Sequence, residues 1–370
     1  MRESNSDRKI ALLATGDEIV HGDIVNTNSR DIARQLIEHH MTPGTQMVAS
    51  DHIDDIEQAI RYLLQNHDAL IMTGGLGPTS DDITRYALSK ALNLPLVFHD
   101  HVWDNIVQRL HRFGYDTPPE SNRQQALFPA GSIVIPNDAG TAAGCRLEHN
   151  DKQIFMLPGP PTECLPMLES IILKQLQQTG FAHESYHANW LLFSVSEGQI
   201  AETLDAIAAP LQCQTGYRLS YPYLEFKLYS KDKAQFKMAR KKIEEVIQPY
   251  LIRDGRQSAS RMLRDTINHS HFPLRFCDLA TGGLLEHTLK TPHNKNHIQF
   301  VSEKDLPNIV IRGLEDYWND QNTTETKLII EFLSPFKQNS AEKSIPFRGK
   351  RVVEYAVELI CKQCIELLHE

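Results

Sequence analysis

The sequence predicts an α/β fold built on a mainly parallel sheet, and three observations predict it. Short apolar runs of strand length recur, segments of helical periodicity separate them, and glycine-rich turns follow several of the runs. The first run, residues 9–15, is continuously apolar after Lys9, as a strand buried on both faces requires. Residues 27–40 carry helical spacing through Ile32, Leu36 and Ile37, with Asn28 or Ser29 as the cap. A strand-like stretch at 45–50 precedes a helix that turns Ile53, Ile56, Ile60, Leu63 and Leu64 inward. A strand at 69–73, a glycine-rich loop and a helix from about Ser80 complete a repeated βαβ pattern.

Helical patterns return at 99–113 and 120–128. Residues 132–135 and 142–147 read as strands, and 154–157 pairs with the latter across His149-Asn-Asp-Lys152. Pro160 and Pro161 open a helix reaching about Gln178, so a first domain spans 1–180. Residues 181–252 have a different order, βαββα, with an aromatic-rich strand at 185–195 and a basic helix at 231–250. A third domain, 253–370, holds Thr281-Gly-Gly283 before helical spacing, a polar stretch rich in Asn and Thr, and an amphipathic helix from about Val352.

Over 370 residues, 41% hydrophobic and 23% charged composition is that of an ordinary folded chain of two or three domains. The net charge of −9 argues against a nucleic-acid or anionic-membrane partner. A small anionic ligand remains compatible with it, because a local nest of backbone N–H groups holds phosphate whatever the global charge. The six cysteines form no disulfide framework, and Cys361 and Cys364 fall on one helical face as packed thiols. The first seven residues hold no apolar run of signal-peptide length, and nothing approaches the roughly 18 apolar residues of a membrane span. A cytoplasmic location is the expectation.

Ligands of open α/β sheets sit beyond the carboxyl ends of the strands. Thr15-Gly16-Asp17-Glu18 follows the first strand, and Thr73-Gly74-Gly75-Leu-Gly77-Pro-Thr79-Ser80-Asp81-Asp82 follows the third. Three glycines let backbone approach a phosphate, and the next helix offers free N–H groups. On the glycines alone, a plain βα turn with acidic residues opposite a helix dipole reads the same way. The four carboxylates Asp17, Glu18, Asp81 and Asp82 tip the balance, because they repel one another unless a hard cation bridges them to phosphate. A third loop, Leu157-Pro-Gly159-Pro-Pro-Thr-Glu163, offers a second phosphate seat, with Glu163 as another acid or ligand. Asn122, Arg123 and the turn at 140–144 are further candidates for the cavity wall.

Six motifs in order carry a family resemblance: Thr15-Gly-Asp-Glu18, Asn26-Thr-Asn28, Gly74-Gly-Leu-Gly-Pro-Thr-Ser-Asp-Asp82, Ser121-Asn-Arg-x-Gln-Ala126, Gly140-Thr-Ala-x-Gly144 and Leu157-Pro-Gly-Pro-Pro-x-Glu163. Together they closely resemble CinA-like proteins, whose first domain is similar to molybdopterin-binding proteins of the MoaB/MogA type. The resemblance covers roughly residues 8–170. It implies an αβα sandwich, a homodimer, and a pyrophosphatase acting on a small nucleotide such as ADP-ribose with Mg²⁺, Mn²⁺ or Co²⁺. It places catalysis on Asp81, Asp82 and Glu18, and metal binding on Asp17, Asp81, Asp82 and Glu163. Substrate contacts fall on Thr15, Gly16, Asn28, Gly74, Gly75, Gly77, Thr79, Ser80, Asn122 and Gly159. The alternative is a binder of a pterin or nucleotide phosphate that turns nothing over.

The second module resembles the KH-type domain of those proteins but lacks the Gly-x-x-Gly clamp of nucleic-acid binders, so it reads as a spacer or dimer element. The third resembles their nicotinamide-nucleotide amidase domain, whose serine lies in Glu-Ser-Cys-Thr-Gly-Gly. Here Leu279 takes the serine position in the α/β domain, and a side chain without a hydroxyl cannot attack an amide. The Lys-Pro-Val-Gly segment of active members also has no counterpart in 300–350, so amidase activity is expected to be absent.

Overall fold

A computed structural model describes residues 8–269, 273–319, 324–333, 338–346 and 351–368. The reading of the first seven residues, and part of the comparison over 300–350, lie outside the described residues. The chain divides into two compact units, Met1–Glu184 and Ser185–Glu370.

The first unit opens with β1 (Lys9–Thr15), α1 (Asp17–Val20), α2 (Thr27–Glu38), β2 (Thr42–Ala49), α3 (Ile53–Asn66) and β3 (Ala69–Thr73). It continues through α4 (Thr84–Leu92), β4 (Leu96–Phe98), α5 (Asp100–Arg112), β5 (Leu127–Pro129), β6 (Ile133–Ile135), β7 (Gly144–His149) and β8 (Lys152–Leu157). It closes on α6 (Pro161–Met167), a π-turn and α7 (Leu173–Gln178). Six strands form one sheet in the order β2-β1-β3-β8-β7-β6. The first four run parallel, and β7 and β6 add an antiparallel edge.

Alternation along β1 explains the three layers. Ile10 and Leu12 join Ile32 and Leu36 of α2 in one core, while Ala11 and Leu13 join Ile56 and Ile60 of α3 in the other. Both faces of the strand are therefore apolar, as its unbroken run requires. Asn150 and Asp151 both adopt positive φ in the tight turn between β7 and β8, the conformation that short polar residues tolerate best.

Two helix expectations shift. Residues 80–83 are not helical, because the Asp82 side chain takes the N–H groups of Gly77 and Thr79 and α4 begins only at Thr84. Residues 120–126 form a 3₁₀ turn, and β5 follows, pairing with β4 around the fully buried Phe128. Strand pairing and burial outweigh the helical spacing there. Inside the last helix, Pro166 removes an N–H donor, and the π-turn at Leu168–Ile172 follows it.

The second unit begins with β9 (Tyr186–Phe193), α8 (Glu197–Ala208), β10 (Gln214–Ser220), β11 (Tyr223–Ser230) and α9 (Lys233–Ile247). These build a three-stranded antiparallel sheet, β10-β11-β9, packed on its helices through Trp190, Phe226, Phe236 and Ile243. The βαββα order read from the sequence is present. The chain proceeds through α10 (Ala259–Asn268), β12 (Leu274–Asp278), α11 (Leu284–Leu289), β13 (Ile298–Phe300), β14 (Ile309–Gly313) and α12 (Glu315–Trp318). The long hairpin β15 (Glu325–Leu333) and β16 (Gln338–Pro346) and the final helix α13 (Val352–Leu368) follow. The second sheet has the order β13-β12-β14-β15-β16. The hairpin lies in what reads as a polar stretch, yet Thr326, Leu328 and Ile330 are buried at period two.

Phe193 and Tyr223 of the three-stranded sheet sit in the same core as Phe276, Ile330 and Ile360. A polar knot reinforces that core. The buried Glu358 carboxylate accepts from the Tyr223 hydroxyl at 2.6 Å, from the Ser260 N–H at 3.0 Å and from the Ser260 hydroxyl at 2.5 Å. Tyr223 in turn accepts the Ala259 N–H at 2.8 Å. Burial, with Glu358 beside it, holds the Tyr223 phenol far above its ordinary pKa. Tyr223→Phe strips one donor from a buried carboxylate and the acceptor from a backbone N–H. It is expected to cost about 1–3 kcal/mol in urea unfolding of the full chain. An unchanged unfolding midpoint would show that the knot contributes nothing.

Candidate functional site

Shared register brings the strand-end loops together. Thr15 pairs with Ala49, Ala14 with Thr73, and Thr73 with Leu157, so β2, β1, β3 and β8 finish on one edge. A cavity of about 560 Å³ opens there. Of the sequence-derived candidates, Thr15, Gly16, Glu18, Asn28, Gly74, Gly75, Gly77, Asp81, Asp82, Gly159 and Glu163 line it. Asp17, Thr79, Ser80 and Asn122 do not.

The glycine loop is held by its own neighbours. Gly74 has φ +102°, and a Cβ there would collide with the Thr15 carbonyl. The Thr15 hydroxyl meets the buried Thr84 hydroxyl at 2.9 Å, which ties the first strand end to the start of α4. Asp82 folds back into the loop: one oxygen accepts the Gly77 N–H at 2.7 Å, and the other accepts the Thr79 N–H at 2.9 Å and the Thr79 hydroxyl at 2.5 Å. Both oxygens of this cavity-lining carboxylate are thus engaged with the loop. Asn122, behind the wall, donates to Gln125 at 2.8 Å and so orients a side chain that does line the cavity. Arg123 stacks over Phe98 and Trp103 instead of entering the site.

The opposite wall is similarly braced. The Asn28 amide N–H donates to the Gly159 carbonyl at 2.7 Å, which fixes the orientation of the amide. Its Oδ1 is buried without a hydrogen-bond partner. Glu163 accepts from Asn137 at 2.6 Å, and its carboxylate fills the space a Cβ on Gly140 would need. Ile24 and Val25 form an exposed apolar lip, 52% and 81% accessible.

Asp51, which the sequence reading passed over, belongs to the site. It follows β2 as Glu18 follows β1, so the rule that ligands gather at strand ends was the signal that could have found it. Its carboxylate accepts the Asp17 N–H at 3.1 Å, and Asp17 accepts the Asp51 N–H at 3.0 Å. That reciprocal pair accounts for Asp17, which holds the first loop against the second. Burial raises the pKa of Asp51, and the negative charges of Asp17, Glu18 and Asp81 raise it further. By contrast, Asp81 is held below the usual carboxylate range by the Thr79 hydroxyl and its own backbone N–H. The other unread residue is Arg85, wholly buried behind the glycine loop, with no signal in the sequence to separate it from a solvated helix residue.

A divalent ion can be tested against this donor set. Among the described residues no group of three or more His, Cys, Asp or Glu side chains stands close enough to hold a metal ion by itself. Asp82, Asp17 and Glu163 are engaged in bracing loops, while Glu18 and Asp81 line the cavity. One or two carboxylates suit a Mg²⁺-like ion that takes its remaining ligands from water and phosphate. The residues fit an ion that takes most of its ligands from outside the chain, not a permanent protein-only centre.

Residues 11–178 match the family described as "Probable molybdopterin binding domain". The CinA-like protein of Escherichia coli O9:H4 (strain HS) is 32% identical over 280 residues, which is 75% of this chain and 70% of that protein. The NMN amidohydrolase-like protein YfaY of Escherichia coli (strain K12) matches at the same 32% over 280 residues. Among solved structures, the protein CinA with unknown function from Thermoplasma acidophilum aligns at 27% identity and TM-score 0.42, covering 46% of this chain and 97% of that one. The molybdopterin biosynthesis enzyme MoaB of Thermus thermophilus aligns at 16% identity and TM-score 0.32, over 47% of this chain and 96% of that one.

The charge crowding around Asp51 is open to a pH test. A carboxyl whose folded pKa is raised contributes stability below its unfolded pKa of about 3.9 and loses that contribution as pH rises through the folded value. Asp51→Asn removes the ionisation, so its Tm relative to the parent should be higher at pH 7 than at pH 4. If the difference between the two proteins is the same at both pH values, the crowding at Asp51 is without energetic weight.

Proposed function

Because the chain belongs to the CinA-like protein family, we propose that the cavity of its first unit binds a nucleoside diphosphate ester of the ADP-ribose type and hydrolyses its pyrophosphate. The observation that carries this reading is the meeting of Glu18, Asp51 and Asp81, from three strand-end loops, around one cavity beside a glycine loop. Three carboxylates around a pocket with polar, amide-bearing walls call for a cationic complement, and a metal–diphosphate supplies it.

Glu18 and Asp81 are the residues to hold a Mg²⁺, Mn²⁺ or Co²⁺ ion. Bound there, the ion supplies charge neutralisation and polarisation of a phosphoryl oxygen. The chain's own groups do the rest. Asp51, with its raised pKa, is the best placed of the three to take a proton from the attacking water. The glycine loop and Gly159 position the phosphates, the unpartnered Asn28 Oδ1 accepts from a sugar hydroxyl, and the Ile24–Val25 lip covers a face of the base. Water adds across the P–O–P bridge, giving AMP and ribose 5-phosphate. The KH-type reading of the middle module, a homodimer, and a cytoplasmic site belong to the same proposal. The six buried, unpaired thiols suit a reducing compartment, and no described helix is long and apolar enough to cross a membrane.

A second reading, binding without turnover, draws on the fact that no preformed metal group exists among the described residues. Tight ADP-ribose binding with no AMP formed under any of the three ions would select it. For the hydrolytic reading, Asp81→Asn and Glu18→Gln should each lower kcat for ADP-ribose by about 100-fold or more in a folded protein. Parental rates in both variants would end it.

We propose further that the last domain is not an amidase, despite the name of its Escherichia coli relative. Leu279 lies 54% exposed where the family's serine stands. The Thr281 hydroxyl is buried, donating to Asp278 and accepting the Leu285 N–H at 3.1 Å. Trp318 covers the turn, its indole N–H donating to the Ala280 carbonyl at 2.7 Å. Nicotinamide mononucleotide should yield no ammonia with the full chain; release above the buffer blank would refute the assignment.

A further inference from the structure

Behind the glycine loop lies a feature that the reading of the cavity does not use. Arg85 is fully buried, and so is Gln125. The Arg85 guanidinium donates to the Leu76 carbonyl at 2.6 Å and reaches the Gly77 carbonyl at 3.5 Å. Gln125 donates to the Leu76 carbonyl at 3.3 Å, and the half-buried Gln124 donates to the carbonyls of Gly77 at 3.2 Å and Thr79 at 2.7 Å. The Leu76 and Gly77 carbonyls are therefore drawn toward Arg85, and the exposed Thr79 carbonyl toward Gln124. In a trans peptide the C=O and the N–H of one unit point in opposite directions. The Gly77 N–H, in the same peptide unit as the Leu76 carbonyl, is thus turned away from Arg85, where the Asp82 carboxylate meets it.

The guanidinium has no bidentate carboxylate partner, and its Nε has no hydrogen-bond partner among the described residues. An enclosed cation of this kind is costly unless a negative charge lies within reach. Burial lowers its pKa to about 10, and the charge of Asp82 works the other way, so it remains protonated at neutral pH. Buried and bonded to carbonyls of a loop that lines the cavity, it is poorly screened by salt.

We propose that Arg85 is the positioning residue of the glycine loop, holding its carbonyls off the cavity and supplying an enclosed positive charge to a diphosphate bound in front of it. This rests on the reading that the cavity takes a diphosphate. Arg85 touches no ligand; it acts through the loop and through its charge, while Gln124 acts through the loop alone. Restraint and charge come apart on substitution: Lys keeps the charge without the fork, Met keeps much of the volume without either, and loss of Gln124 removes restraint only.

The test is calorimetric titration of the full chain with inorganic pyrophosphate and with ADP-ribose, each in the presence of Mg²⁺. Arg85→Met is expected to weaken both ligands by about tenfold or more, and Arg85→Lys to recover most of that loss. Gln124→Ala, at a half-buried position, is expected to weaken both by about threefold. A folded Arg85→Met that binds at parental affinity overturns the proposal, and a Lys variant no better than Met overturns its electrostatic half. Should Arg85→Met fail to fold, unchanged affinity in Gln124→Ala overturns the loop-holding half, and loss of affinity in Arg85→Lys as large as tenfold overturns the charge. A parent that binds neither ligand brings down the diphosphate reading, and this inference with it.

Discussion

Parallel strands in register end together, and whatever follows them must share one edge of the sheet. In the first unit four such strands, β2, β1, β3 and β8, deliver Asp51, Glu18, Asp81 and Gly159 to one cavity. No single loop makes the site. The alignment is fixed by residues far from it: the alternating apolar side chains of β1, locked against α2 on one face and α3 on the other. A one-residue slip would send Ile10 and Leu12 to the wrong layer. Site geometry is thus secured by core packing.

That delivery has an electrostatic consequence. Carboxylates brought to one edge repel, and the chain disposes of several by making them struts. Asp82 closes its own loop, Asp17 and Asp51 exchange backbone hydrogen bonds, and Glu163 takes Asn137. Charge used in this way is neutralised by N–H donors at short range. Asp51 nevertheless keeps a raised pKa, so the bracing does not cancel the crowding. No Lys or Arg is among the described residues that line the cavity, whereas the inner side of its glycine loop has one in Arg85.

The second unit follows a different logic. Its three-stranded sheet packs on its own helices, Phe193 and Tyr223 join the core of the second sheet, and the Glu358 knot joins residues of β11, α10 and α13. The turn after β12 is held by the Asp278–Thr281 hydrogen bonds and by Gly282 and Gly283 at positive φ. Its backbone conformation rests on those residues and not on the exposed Leu279 between them.

By itself the sequence determined the first unit's alternation of strands and helices and its mainly parallel sheet, because unbroken apolar runs separated by amphipathic helices admit few other solutions. It also picked out three of the loops that line the cavity, since glycine and carboxylate clusters are local signals. Residues 9–15 and 69–73 coincide with β1 and β3. Tertiary structure alone decided what each polar residue does. Asp82 closes a loop instead of opening a helix, Asn122 orients Gln125 instead of reaching the cavity, and residues 127–129 pair as a strand in spite of helical spacing. Arg85 became visible only in three dimensions, because a side chain's role is set by partners brought near from distant parts of the chain, and spacing along the sequence carries no record of them.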